Sequence, residues 1–490
     1  MTEVPPQAFE RHGRSPITNV GFVALIRVVP RVTGPLLTVA AARILQPTVY
    51  GGYVAAAAFA AIVTQFLENG VNLLIIRDVA KGAWSSANLV VGALLLKAAL
   101  LMPVLAVAVL GARGLGFDKD VRFLLYLIVL AIVIGTIGNI FDSILQGHQR
   151  MDLQAIAVAA LSFATLAVSL LGLAKGLGAV SLGLGLIAGN TAYTAVAVVA
   201  ALKMDKTLTK LRLTGPFARY FLRQSLGFTA GFAASPLYSR GDTVIIARLR
   251  GLTAAGLYGV AYSGMLFVSL PAEIVRTAFY PHIGKLSGRE AARARSALSQ
   301  LLRYLTLLGL PAGTVLVVAG PELVRFFFGT RFNDAGGAVQ LLGVAIPFIY
   351  ANKALEAALL IEARMRAFSV IAIGSLATNI AANLLLVPPW GFDLGIRGAA
   401  ISMLISEVVY LVMAGASLGS GIWLPHLSTF IRGMAAAALV LATLLLSLSR
   451  LGLVPTLALG GLTYALAAKL FVLFPEAERM LQTRLRRGLT

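Results

Sequence analysis

Charged residues set within long apolar runs are where this chain can do chemistry. Arg27 and Arg31 stand four apart in an apolar run that begins near residue 20. Four residues is about one helical turn, so the two guanidinium groups share a face. At about 1.5 Å per residue, Arg31 lies roughly 17 Å along such a helix, near the middle of a ~30 Å hydrocarbon layer. Like charges on one face repel, and no carboxylate stands near them in sequence. They need an anion from another helix or from a ligand. Snorkelling of Arg27 to the headgroups is the plainer alternative. Arg240 and Asp242, two apart in a later run, point to nearly opposite faces of a helix. Ion pairing across helices is the competing reading for both. Glu273 and Arg276, three apart after Pro271, can pair with each other, as can Lys353 and Glu356. Glu68 and Arg77 mark the far end of the second run. Lys97, Asp142, Glu407, Lys469 and the one-face pair Asn379/Asn383 are further embedded polar groups.

The charges are unevenly placed. The first and seventh runs hold Arg27, Arg31 and Arg240 against Asp242 alone. Fixed positive charge in a low dielectric suits an anionic headgroup, diphosphate above all. Arg27, Arg31, Arg77, Arg240 and Arg276 are therefore the candidate substrate-binding residues. Asp242, Glu273 and Glu68 are candidates for ion coupling, because embedded carboxylates can carry a proton or a sodium ion.

Catalysis finds little support. The four histidines, His12, His148, His282 and His426, fall at loops or run ends and do not cluster. H-E-x-x-H, G-x-S-x-G and P-loop patterns are missing. With no cysteine, disulfides, thiolate metal sites and thiol nucleophiles are excluded. The chain reads as a non-enzyme with no cofactor or metal, driven, if at all, by a proton or sodium gradient.

The elements that must position these residues are membrane helices. Hydrophobic residues make up 58% and charged residues 12% of 490, where a soluble domain is roughly 25% charged. At about 20 residues per span, there is room for about fourteen transmembrane helices and no sizeable soluble domain. The expected fold is all-α and polytopic. Residues 1–202 form a six-helix lobe, 203–224 a basic amphipathic cytoplasmic linker, 225–420 a second six-helix lobe, and 421–490 a final helix pair with a basic tail. In the linker, Phe217, Tyr220, Phe221 and Leu222 alternate with Arg219 and Arg223, the pattern of a helix lying in the membrane interface; a solvated connector is the alternative. A second amphipathic segment is expected around Arg289 to Leu302. Lys203, Lys206, Lys210, Arg212, Arg219 and Arg223 follow the sixth span, and Arg479, Arg484, Arg486 and Arg487 lie in the tail. Positive loops stay cytoplasmic, so both termini are expected inside the cell. The net charge of +21 is read as this bias plus attraction to anionic lipid, not as nucleic-acid binding. The polar start and long first span are not those of a cleavable signal peptide.

A short motif occurs twice. Ala42-Arg43 precedes Gly51-Gly52-Tyr53, and Ala247-Arg248 precedes Gly256-Leu257-Tyr258, each member 205 positions after its counterpart. Thr38/Thr243 and Glu68/Glu273 share that offset. Equivalent spans are six apart and run in the same direction, so the two lobes form a parallel repeat.

These residues resemble the polysaccharide-exporter (Wzx-like) branch of the multidrug/oligosaccharidyl-lipid/polysaccharide flippase superfamily over nearly the whole chain. The marks are Arg43 with Gly51-Gly52-Tyr53, the Gly70-to-Ala80 segment with Arg77, and Asp242 through Gly251. Ala255-Gly256-Leu257-Tyr258 and Tyr280-Pro281 follow. Asn379, Asn383, Pro388, Gly391 and Gly398-Ala399-Ala400 complete the set. The resemblance implies an inner-membrane, two-lobed bundle that turns over undecaprenyl-diphosphate-linked sugars by alternating access, with a cavity lined by the first, second, seventh and eighth helices. The implied substrate is a lipid-diphosphate-linked glycan such as an O-antigen, capsule or exopolysaccharide unit. Polymerases and glycosyltransferases of the same pathway are the protein partners to test. A lipid II flippase and a cation-coupled drug exporter are the alternatives within the superfamily. The Arg27/Arg31 pair argues against the exporter. A membrane glycosyltransferase or polymerase would need a large external loop, which the sequence lacks.

Overall fold

A computed structural model of the chain describes residues 16–209, 215–232, 235–286, 291–362, 364–419 and 427–471. Among them are fourteen α-helices, two short 3-10 helices and no strand. The helices are α1 (Pro16–Ile44), α2 (Pro47–Lys81), α3 (Ser86–Gly114), α4 (Lys119–Gly147), α5 (Met151–Ala174), α6 (Val180–Met204) and α7 (Gly215–Phe232). Then come α8 (Ser235–Leu286), α9 (Ala291–Phe328), α10 (Gly336–Ile361), α11 (Met365–Leu386), α12 (Gly395–Leu418), α13 (Leu427–Leu451) and α14 (Leu453–Leu470). Thirteen are long and apolar enough to cross a membrane. In lipid, backbone groups find hydrogen-bond partners only within their own helix, so long apolar runs become helices despite Pro30 and Pro35 in α1. The protein is a polytopic all-α membrane protein.

One of the thirteen carries two spans. Within α8 only Gly251 has non-helical angles, at φ 85° and ψ 175°. The Tyr258 hydroxyl nevertheless donates to Asp242 Oδ2 at 2.8 Å, sixteen positions back. A straight helix would separate those positions by about 24 Å. The chain therefore folds back at Gly251, and α8 holds the eighth expected span and most of the seventh, expected from about residue 225, whose residues up to Phe232 belong to α7. Glycine is needed there because a side chain resists positive φ.

The fold divides into two compact units, Met1–Leu45 with Gly52–Arg240, and Gln46–Gly51 with Gly241–Thr490. The division falls inside α8, between Arg240 and Gly241. In the first unit α5 packs on α1 and α6, and α6 on α4. One core cluster joins Leu74 and Ile75 of α2, Leu89 and Ala93 of α3, and Ile144 and Leu145 of α4 to Phe217 and Phe221 of α7.

That packing changes the reading of the linker. Phe217 and Phe221 are buried against protein, not spread on lipid. The Trp84 ring sits 5.0 Å from Phe217 and 5.6 Å from Tyr220. Gly92 of α3 makes the space: a Cβ there would come within 2.9 Å of the Phe217 ring. Arg219, Leu222 and Arg223 occupy the exposed face. The amphipathic pattern is real, but its apolar face is covered by α2 and α3. The second expected amphipathic segment is, from Ala291 onward, continuous with the long α9; residues 287–290 lie outside the described part.

In the second unit α10 packs on α9 and α12, α11 on α12, and α13 on α14 and α9. The first turn of α2 belongs to this unit and meets the second arm of α8 through the repeated motif. Thr48 and Thr253, 205 apart, share a hydrogen bond of 2.7 Å. A Cβ on Gly51 would lie 1.8 Å from the Leu252 carbonyl oxygen, and one on Gly256 would lie 2.2 Å from that of Pro47. Both glycines are required by close backbone approach, not by their own dihedral angles.

Candidate functional site

A buried polar constellation in the second unit surrounds Asp242. The first arm of α8 places it on the face opposite Arg240: Asp242 is buried and Arg240 exposed. The hairpin at Gly251 returns Tyr258 to Asp242 Oδ2. From α11, Asn383 Nδ2 donates to Asp242 Oδ1 at 2.8 Å. The same amide nitrogen donates to the Asn379 carbonyl oxygen at 2.9 Å, and the Asn379 side chain lies beside the carboxylate. Asn379 and Asn383 are both fully buried. Four residues apart, they present their amides on one helix face. Asn383 Oδ1 and Asn379 Nδ2 have no hydrogen-bond partner. The Asp242 carboxylate thus meets a hydroxyl and amides, all neutral. An ionised carboxylate held this way is costly without a compensating cation.

Four other sequence-selected charges of this unit lie in two close pairs. Arg276 Nη2 reaches Glu273 Oε1 at 2.6 Å and its Nε reaches Oε2 at 3.1 Å. Lys353 Nζ lies 3.3 Å from Glu356. Asn352 Nδ2 donates to Glu407 Oε2 at 2.7 Å and to the Glu407 carbonyl oxygen at 2.9 Å. Glu273 and Glu407 also act electrostatically on Lys353. Glu273 and Arg276 satisfy one another, as their spacing allowed.

In the first unit, Arg27 is exposed and Arg31 half-buried on α1, a helix that contains no acidic residue. Among the described residues no ion pair holds Arg31. Arg240 lies near enough to Tyr53 of the repeated motif to act on its hydroxyl. The Glu68 side chain lies outside the described part. Arg77 has a different setting. Its Nε donates to Asp78 Oδ1 at 2.9 Å and its Nη2 to the Tyr220 hydroxyl at 2.8 Å. Tyr220 in turn donates to Asp78 Oδ2 at 2.8 Å. The Asp78 bond pushes the Arg77 guanidinium pKa up; burial, and then Asp78, push the Tyr220 hydroxyl up. This closed triangle ties α7 to the end of α2. Asp78 was not singled out by sequence, and Tyr220 only as part of the linker's apolar face; the adjacent Arg77-Asp78 pair was the available signal. No cluster of metal-ligating side chains occurs among the described residues.

Comparison with known proteins fits this architecture. Residues 40–336 match the polysaccharide biosynthesis protein family. No curated protein matches the chain in sequence. Among solved structures, the lipid II flippase MurJ in an inward closed conformation aligns with a TM-score of 0.69 at 13% identity, over 92% of this chain and 98% of that one. A multidrug resistance MATE family transporter in an inward-facing conformation aligns with a TM-score of 0.62 at 13% identity, covering 82% of this chain and 98% of that one. A further superfamily transporter, from Pyrococcus furiosus, reaches 0.52 at 14% identity, over 86% and 93%. At these identities the likeness is one of fold, whereas the family match spans more than half the sequence. The chain belongs to the polysaccharide biosynthesis protein family and shares its fold with the MurJ and MATE transporter structures.

Proposed function

We propose that the protein is a flippase that translocates an undecaprenyl-diphosphate-linked oligosaccharide across the inner membrane by alternating access, with both termini cytoplasmic. The observation that carries this reading is α1, a membrane helix holding Arg27 and Arg31 without any acidic residue. Embedded arginines are expensive, and a diphosphate that meets them in the membrane recovers that cost through charge-assisted hydrogen bonds. Arg240 joins them from the first arm of α8, on its exposed side. Arg77 and Arg276 are secondary in this reading, since each already holds a carboxylate. The family match supports a role in polysaccharide synthesis. The pathway's polymerase and glycosyltransferases are the protein partners in this reading.

Repeated one-way movement of a polar headgroup needs an energy source. Asp242 is the residue for it: its neutral partners leave the charge to be balanced by a proton or a sodium ion. The test is complementation of a flippase-deficient strain. Arg31→Ala combined with Arg240→Ala is expected to abolish growth or glycan display while the protein still reaches the membrane. Lys at either position is expected to rescue poorly, because it lacks the bidentate fork. Full complementation by the double alanine variant overturns the assignment.

A further inference from the structure

A cavity of about 380 Å³ lies inside the first unit, between α2, α4, α5 and α6. That is within the ~300–1,000 Å³ range of small-molecule pockets. Its polar lining is Thr64, Gln65, Asn139, Asn190 and Tyr193; apolar side chains, Val158 and Leu161 among them, form the rest. Every lining residue is uncharged.

The polar groups are held in place from behind. Tyr193 donates to Asn139 Oδ1 at 2.8 Å. Behind it Asp142, buried, accepts through Oδ2 from Gln146 at 2.8 Å and Gln154 at 3.0 Å. Asn190 Nδ2 donates to the Leu186 carbonyl at 2.8 Å, and Thr64 Oγ1 to that of Ala60 at 2.8 Å. Two glycines of α4 make room for this arrangement. A Cβ on Gly135 would lie 2.1 Å from Asn190 Oδ1, and one on Gly138 would lie 2.7 Å from the Tyr193 ring. Supporting groups that fix amide and hydroxyl orientations are what a binding site requires.

We infer that this cavity is a sugar-ring subsite, taking one uncharged hexose or N-acetylhexosamine unit of the carried glycan. The inference rests on the flippase reading above. Amides and hydroxyls serve as donors and acceptors for ring hydroxyls, and Val158 and Leu161 face the C–H surface of a ring. A diphosphate would find no cation in this lining. A metal ion would find no lining carboxylate, since Asp142 stands behind Tyr193. An acyl chain would offer no hydrogen-bonding group to the five polar side chains of the lining.

The test uses the full chain in lipid nanodiscs, followed by thermal unfolding. Probes are N-acetylglucosamine, galactose and rhamnose. Trimethylamine oxide is the reference, because excluded osmolytes stabilise any fold. At least one sugar is expected to raise Tm beyond the osmolyte effect in a saturable way. Asn139→Leu and Asn190→Leu are each expected to weaken that half-saturation roughly tenfold, about 1.4 kcal/mol. Should either fail to fold, Val158→Phe narrows the cavity from its apolar wall and is expected to do the same. Three results would overturn the subsite: no sugar exceeds the osmolyte, the variants keep the response, or sodium alone produces it. A parallel arm adds sugar-free farnesyl diphosphate. If it stabilises the wild type and the asparagine variants alike but not Arg31→Ala/Arg240→Ala, the flippase reading stands whatever the sugars do. If it stabilises none of them, that reading fails on its own account.

Discussion

Asp242 and Glu273 are both embedded carboxylates on α8, and their surroundings separate them. Glu273 has a guanidinium at 2.6 Å. Asp242 has a tyrosine hydroxyl and asparagine amides. A fixed counter-charge makes a carboxylate a poor carrier of an exchangeable ion, whereas neutral partners leave that place to the ion. Asp242→Asn is therefore expected to abolish the dependence of translocation on an imposed proton or sodium gradient in proteoliposomes, with the fold retained. Glu273→Gln is expected to keep the dependence and to lower stability by leaving Arg276 without its carboxylate. If Asp242→Asn keeps the wild-type gradient dependence, Asp242 is not the coupling residue. Part of this site was legible in the sequence. The i, i+4 spacing put Asn379 and Asn383 on one face, and the two-residue spacing put Arg240 and Asp242 on opposite ones. That these faces meet was not legible, because Asn383 and Asp242 are 141 positions apart. Spacing arguments reach one helix at a time.

At the scale of elements, α7 shows where pattern reading stops. Its alternation of aromatics and arginines predicts an amphipathic helix, and the helix is there. Periodicity states which face is apolar, not what covers it. Trp84, Gly92 and the Arg77–Asp78 pair, which form the receiving surface, are scattered over the ends of α2 and α3. The cover has an energetic consequence. Phe217→Ala removes a fully buried ring and is expected to destabilise by about 3–5 kcal/mol. Tyr220→Phe leaves the buried Asp78 short of one donor, at about 1–3 kcal/mol. Arg219→Ala, on the exposed face, is expected to stay within about 0.5 kcal/mol. Denaturation in nanodiscs would rank the three. Equal, small effects would mean that α7 rests on lipid after all. The fold-back of α8 was better marked in the sequence, since Gly251 follows Arg248 and Arg250 between two apolar runs.

For the whole molecule, the strongest constraint is charge placement across the membrane. With the hairpin at Gly251, the thirteen apolar helices hold fourteen apolar segments; if each crosses, the even number is expected to put both ends on one side. Side assignment then follows from lysine and arginine, which stay cytoplasmic when loops are short. Lys203 and Lys206 follow α6. Arg295, near the start of α9, lies 3.5 Å from Glu362 just past the end of α10, so those two ends share a side, as an α9–α10 antiparallel pair requires. Lys119 at the start of α4 and Arg331 between α9 and α10 fall on the opposite side by this count. Because the chain has no cysteine, single cysteines report each side without background. Cysteine at Lys119 or Arg331 is expected to react with a membrane-impermeant maleimide in intact cells. Cysteine at Arg295, and at Lys210 outside the described residues, is expected to react only after the membrane is opened. Labelling of Lys210→Cys from outside would invert the topology. It would also place the basic segment before α7 against the outer face, where the attraction to anionic cytoplasmic lipid could not act.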